Sequence, residues 1–193
     1  PPITYPLTLP MCAPISDGAA ATIVCTEEAL NKYGIDKSRA IRVAGSVVGS
    51  GVERALNDFD NHIVTRLSKK LYEQAGIGAK DVNVVELHDA TAVGELIEVE
   101  CLGLCPLGEG GLFAEQGETS IGGKVPVNTS GGLESRGHPI AATGLAQIHD
   151  LIQQLRNEAG ARQVEGAKVA LQCNVGGFWG VEEASAHVAL FTR

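Results

Sequence analysis

Aromatic residues are scarce, 4% of 193, so the interior is expected to be built from small aliphatic side chains. No apolar run is long enough to span a bilayer, and no signal peptide is visible in the residues present. A disulfide framework is also missing. The five cysteines are an odd number, and Cys101 and Cys105 have no second pair that would complete a zinc site. A reducing, cytoplasmic compartment and no bound metal are therefore expected. Excess positive charge is absent too: the net charge of -8 argues against a nucleic-acid partner, although a local basic spot can still receive an anionic ligand. There is no internal repeat and no low-complexity linker.

What remains is an ordinary globular composition, 44% hydrophobic and 20% charged, with 24 glycines that fit close packing and sites built from backbone. The length suffices for one domain with its own core. Ala19 to Cys25 is small and apolar and reads as a strand. Thr26 caps a helix that begins Glu27-Glu28-Ala29. Ile41 to Val48 reads as a strand. Residues 60–75 have helical period through Ile63, Val64, Leu67 and Leu71, and Gly76 ends them. Val82 to Leu87 is a strand and residues 92–103 a helix. The glycine-rich stretch from Leu104 to Val125 reads as a loop or lid. A helix is expected directly after His138-Pro139, with proline in its first turn and Ile140, Leu145, Ile148, Leu151, Ile152 and Leu155 as its apolar face. Strands from Val169 and from Ala186 to Phe191 close the chain. Alternating strands and helices imply an α/β fold with a mixed sheet packed by helices.

Three segments carry polar groups to the ends of apolar runs, which is how open α/β sheets assemble sites. The first is Val84-Val85-Glu86-Leu87-His88-Asp89-Ala90. The second is Asn128-Thr129-Ser130-Gly131-Gly132-Leu133-Glu134-Ser135-Arg136-Gly137-His138-Pro139. The third is Gln172-Cys173-Asn174-Val175-Gly176-Gly177. Imidazole is the side chain whose proton moves near neutral pH, so His88 and His138 are the first candidates. His62, His149 and His187 read as structural or solvent-facing. Glu95 reads as a solvated helix position, with a buried acid near the site as the alternative. Ser130 and Ser135 lack the Gly-x-Ser-x-Gly surroundings of a nucleophilic serine.

Together with Tyr5-Pro6-Leu7-Thr8 and Ser16-Asp17-Gly18-Ala19-Ala20-Ala21, these segments resemble the thiolase family, and most closely its sterol-carrier-protein-type and archaeal acetyl-CoA acetyltransferase branch. The resemblance runs over essentially the whole chain. It implies a thiolase-like fold in which 1–40 is the remnant of an N-terminal domain and 41–193 the C-terminal domain. The nucleophilic cysteine would belong to the missing N-terminal half. It further implies carbon–carbon bond formation or cleavage beside a coenzyme A thioester, with acyl-CoA as substrate and no cofactor. A dimer or other homo-oligomer is implied for the complete protein, with a zinc-ribbon/OB-fold chain as a possible partner.

By that resemblance, His138 lowers the proton affinity of the nucleophile and donates to a thioester oxygen. His88 orients a water in the same oxyanion hole, Asp89 orients the loop or a ring nitrogen, and the Gly176 N–H supplies part of a second hole. The sequence departs from the family where a second cysteine serves as acid/base. Ala90 stands at one such place and Asn174 at the other, with Cys173 one residue early. Neighbours on a strand point to opposite faces, so either Cys173 or Asn174 faces the site, with Asn174 favoured by its spacing to Gly176. Two other readings stay open: a retro-aldol lyase acting on a beta-hydroxyacyl-CoA, which needs no second thiol, and a non-catalytic acyl-CoA-binding subunit.

Overall fold

A computed structural model describes residues 1–193. A small antiparallel hairpin, β1 (Pro2–Thr4) and β2 (Leu7–Thr8), opens the chain. Helix α1 (Glu27–Lys32) follows, with the Thr26 hydroxyl accepting the Ala29 N–H at 3.2 Å. The sheet is formed by β3 (Arg42–Ser50), β4 (Val84–Glu86), β5 (Val169–Gly176) and β6 (Ser185–Thr192), in the spatial order β3-β6-β5-β4. The β3–β6 and β6–β5 pairs are antiparallel, and β5–β4 is parallel. Between the strands come α2 (Ile63–Ala75), α3 (Ala92–Cys101), α4 (Gly110–Glu115), α5 (Gly132–Arg136) and α6 (Thr143–Arg156).

Two helices cover the two faces, and strand alternation sorts the side chains between them. On the α2 face, Leu67 and Leu71 pack against Val47, Val85, Leu171, Cys173, Val188 and Leu190. On the α6 face, Leu151 and Leu155 pack against Val84, Ala170, Ala189 and Phe191. Helix α2 ends at Gly76, whose φ of 65° is the left-handed cap expected of glycine there.

Several expectations are corrected. Ala19 to Cys25 is not a strand: it runs extended and unpaired, with Ile23 93% exposed. A strand needs a hydrogen-bonded neighbour, and these residues have none. The 104–125 stretch is not a free lid. It contains α4, and Leu104, Cys105, Phe113 and Val125 are buried in the α2-side core. The helix after His138 begins only at Thr143, because Ala141 takes a φ of 73° and leaves Ile140 exposed. Its most buried positions are Thr143, Gln147, Leu151, Gln154 and Leu155, while Leu145, Ile148 and Ile152 line a surface groove of about 940 Å³ with residues 22–25 of the opening segment. None of residues 1–40 is buried. No helix is long and apolar enough to cross a membrane.

Candidate active site

Strand β4 delivers His88 and Asp89 in opposite directions. The Asp89 carboxylate crosses to the start of α5 and accepts the N–H groups of Leu133 at 2.7 Å and Glu134 at 3.3 Å. It thus serves as an N-cap supplied from another segment, satisfying donors that a helix start leaves free. Burial pushes its pKa up, and those two N–H groups and Arg136 oppose the shift. Gly132 makes this approach possible. Its φ is 60°, and a Cβ there would lie 2.7 Å from the Asp89 Cγ. The cap ties the His88 segment to the loop that carries His138.

The opening segment straps both together. The Ala13 N–H donates to Ala90 O at 3.0 Å, and the His138 N–H donates to Pro14 O at 3.1 Å. The rings of His88 and His138 meet edge to face, with centroids 4.9 Å apart and an interplanar angle of 82°. Their Nε2 atoms are 3.4 Å apart.

The Thr143 hydroxyl lies 3.1 Å from Pro139 O and 2.8 Å from His138 Nδ1. With its one hydrogen directed at Pro139 O it accepts from His138 Nδ1, and that tautomer leaves a lone pair on His138 Nε2 facing an N–H on His88 Nε2. Burial lowers the pKa of His138. Burial, with His138 close by, lowers that of His88 to about 4. Both rings are neutral at neutral pH.

Strand β5 forms the third wall. Cys173 is fully buried in the α2-side core, its thiol pKa pushed far up by that burial and by Glu98. Asn174 points the other way, into the cleft. Its Nδ2 donates to Gln147 Oε1 at 3.0 Å, and Gln172 Nε2 donates to the same oxygen at 2.9 Å. Gln147 Nε2 donates to Leu87 O at 2.8 Å. This buried glutamine thereby fixes the relative positions of β4, β5 and Asn174. The chain of contacts continues from Gln172 Oε1 to His187 Nδ1 at 2.9 Å and from His187 Nε2 to Ser46 Oγ at 2.8 Å.

The cleft encloses about 810 Å³ and is lined by His88, His138, Glu98, Asn174, Gly176 and His187, among others. No cysteine lines it, and no group of three or more His, Cys, Asp or Glu side chains is placed to hold a metal. The structure thus brings His88, His138, Asn174 and Gly176 to one cavity. It places Asp89 behind the loop as a brace, and it corrects Cys173 to a core thiol. Glu95 is not solvated: it accepts from Asn128 Nδ2 at 2.8 Å, and burial raises its pKa to about 7. His187 lines the cleft with both ring nitrogens held, by Gln172 and Ser46. His62 caps α2, accepting the Val64 N–H at 3.3 Å.

Thr143, Gln147 and Glu98 were not singled out for the site from sequence. The available signal was polarity on a buried face. Thr143, Gln147 and Leu151 are four residues apart and share one side of α6. Glu98 lies seven residues after Thr91 and shares its side of α3.

Comparison with known proteins agrees with this architecture. Residues 53–190 match the family described as thiolase C-terminal domain-like, and the chain belongs to the thiolase family. Among relatives, the benzoylsuccinyl-CoA thiolase subunit BbsB of Thauera aromatica is 48% identical over 178 residues, covering 91% of this chain and 46% of that protein. Sterol carrier protein 2 of Rattus norvegicus is 45% identical, covering 88% of this chain and 32% of that protein. An acetyl-CoA acetyltransferase of Methanothermobacter thermautotrophicus is 41% identical over 99% of this chain and 49% of its own length. The chain therefore spans half or less of the length of these relatives. A solved Ltp2-ChsH2(DUF35) aldolase superposes with a TM-score of 0.64 over 79% of this chain and 39% of that chain, at 22% identity, a likeness of fold.

Proposed function

We propose that the chain is the C-terminal part of a thiolase-type acyl-CoA C-acyltransferase, which makes or breaks a carbon–carbon bond beside a coenzyme A thioester. Residues 1–40 are read as a remnant of the N-terminal domain and 41–193 as the C-terminal domain. The observation that carries the reading is the facing pair, with the Nε2 atoms of His88 and His138 3.4 Å apart and His138 Nδ1 2.8 Å from the Thr143 hydroxyl, an arrangement that suits a lone pair on His138 Nε2 opposite an N–H on His88 Nε2. A thiol entering between the rings gives its proton to His138, and the attacking species is the thiolate. His138 then carries an N–H at Nε2. Both rings present donors to the oxygen that becomes negative as the thioester carbonyl is attacked. Gly176, at the cleft end of β5, is assigned to the second oxyanion site, where a missing side chain lets the carbonyl approach the backbone.

No cysteine of this chain lines the cleft, so the attacking thiol is assigned to residues outside this sequence. One relative is named as a thiolase subunit, and the aldolase of similar fold was solved with a DUF35 chain. A partner chain and a homo-oligomer are accordingly part of the proposal.

A second reading, retro-aldol cleavage of a beta-hydroxyacyl-CoA, is favoured by one observation. Asn174 and Ala90 stand in the cleft where related thiolases place a second thiol, and Cys173 is turned away. The two readings separate by assay of the full-length protein on acetoacetyl-CoA with coenzyme A and, in parallel, on a beta-hydroxyacyl-CoA. In either assay His138→Ala is expected to lower turnover about a hundredfold or more, as loss of an oxyanion donor does, with a much smaller change in KM. Turnover near the wild-type level would remove His138 from the mechanism.

A further inference from the structure

Helix α3 turns one side toward the cleft, carrying Thr91, Gly94 and Glu98 at spacings of three and four. Glu98 is 3% exposed, and what exposure it has is to this cavity. Its Oε2 accepts the His88 N–H at 3.2 Å. The Cys173 thiol touches the same carboxyl from the core side. No lysine, arginine or histidine side chain forms an ion pair with it, although seven such pairs occur elsewhere in the chain. The other ionisable neighbours are Asp89 from the β4 end, Glu183 from the turn before β6, and Cys101 on α3 itself. None of them brings a positive charge. Burying a carboxyl without a cation is costly unless it stays protonated or is needed. Burial, with those acids nearby, holds its pKa well above the ordinary carboxylate range.

We propose that Glu98 is the group that exchanges a proton with the substrate carbon next to the thioester carbonyl, the task for which Ala90 and Asn174 have no suitable side chain. The inference rests on the thioester reading of the cleft. In the cleavage direction the Glu98 O–H bond breaks. Its proton goes to the α-carbon, where it is joined by the electron pair of the breaking carbon–carbon bond, and Glu98 is left as a carboxylate. In the reverse direction the carboxylate takes the α-proton. The C–H pair becomes the enolate double bond, and the carbonyl pair moves onto oxygen, opposite the His88 N–H. A carboxyl raised by burial keeps its proton further toward neutral pH than an ordinary one, which suits a group that must deliver a proton as well as take one. The His88 backbone N–H, donating to Oε2 at 3.2 Å, fixes the position of the carboxyl.

The half-reaction needs no nucleophile, so it tests Glu98 directly. Acetyl-CoA in D2O, followed by mass spectrometry, reports deuterium entering the methyl group in the presence of full-length protein. Glu98→Gln keeps the shape and cannot accept a proton. It is expected to slow exchange about a hundredfold or more while the melting temperature stays near the wild-type value. In wild type the exchange rate should rise with pH along a limb that Glu98→Asp retains, at lower rate, and Glu98→Gln lacks. If Glu98→Gln exchanges at the wild-type rate while His88→Ala does not, the assignment of Glu98 is overturned and the thioester site stands. If the wild-type protein shows no exchange, or His88→Ala leaves it unchanged, the thioester reading falls and the assignment falls with it.

Discussion

A neutral histidine can serve as donor or acceptor, and at the His88–His138 pair one threonine hydroxyl decides which. With the Thr143 hydrogen directed at Pro139 O, the proton of His138 lies on Nδ1. The neutrality itself has a cost at low pH. The ring of His88 titrates at 6.5 when exposed and at about 4 in the fold. Between those values the unfolded chain holds more protons than the native one, so stability falls as pH falls through this window, by at most roughly 3 kcal/mol. Glu95, raised from 4.5 to about 7, acts in the opposite sense, since its burial costs stability as pH rises from 4.5 to 7. The two contributions separate by variant. His88→Asn should gain thermal stability relative to wild type progressively below pH 6.5, and a constant difference in melting temperature would show that His88 is not held neutral by burial.

At the same scale, Cys173 is a packing residue. Cys173→Ser places a hydroxyl in the α2-side core, at a cost of about 1–3 kcal/mol, and is expected to leave α-proton exchange nearly intact. Loss of exchange with unchanged stability would return the sulfur to the chemistry.

The elements matter through how they end. Helix α5 has only five residues, too few to persist alone, and it is held by the Asp89 carboxylate at its first N–H groups. The short helix therefore carries information from β4 to the His138 loop. Gly132→Ala tests that link. Its φ of 60° disfavours a side chain, and the new methyl group meets the Asp89 carboxyl. A loss of about 1–3 kcal/mol is expected, and turnover should fall because the ring of His138 moves relative to His88. Denaturant melts and steady-state assays of the same preparation check both parts. Stability loss with unchanged turnover would show that α5 does not position the histidine. On the other side of the cleft, Gln147 reaches from α6 to two segments, Leu87 after β4 and Gln172 and Asn174 on β5, so that helix orders the site with amide groups where its sequence pattern offered an apolar face.

On the scale of the whole molecule, the two faces of the sheet are covered, but the first forty residues bury nothing of their own. Ile3, Tyr5, Leu9, Ile15, Ile23, Val24, Tyr33 and Ile35 are all more than half exposed. Large apolar side chains left exposed in this number favour association. The 193-residue chain expressed alone is expected to self-associate or to be poorly soluble, and to lack thiolysis of acetoacetyl-CoA. Light scattering after gel filtration checks the first, and a monodisperse monomer with turnover would contradict both.

Much of this was legible beforehand. Helical and strand periods located α2, α3, β5 and β6, because each buries a regular side of itself in the core, and β3 was located by its apolar run although only Val47 of it is buried. Glycine and threonine signals placed the ends of α1 and α2. The motifs around His88 and His138 were recognisable as runs of particular residues, and strand alternation alone required Cys173 and Asn174 to part company. Other features depended on contacts between distant segments. Ala19 to Cys25 has the composition of a strand but no neighbour to pair with. The delayed start of α6 depends on the φ of Ala141, and the buried role of Glu98 depends on β4, β5 and α3 closing around it. Composition and period fix which residues prefer burial and in what regular form, since those preferences are local. How the two imidazoles face each other, which carboxyl loses its water, and which side of β5 meets the cleft follow only when segments distant in the chain are brought into contact, because desolvation and hydrogen bonding are properties of the neighbours and not of the residue.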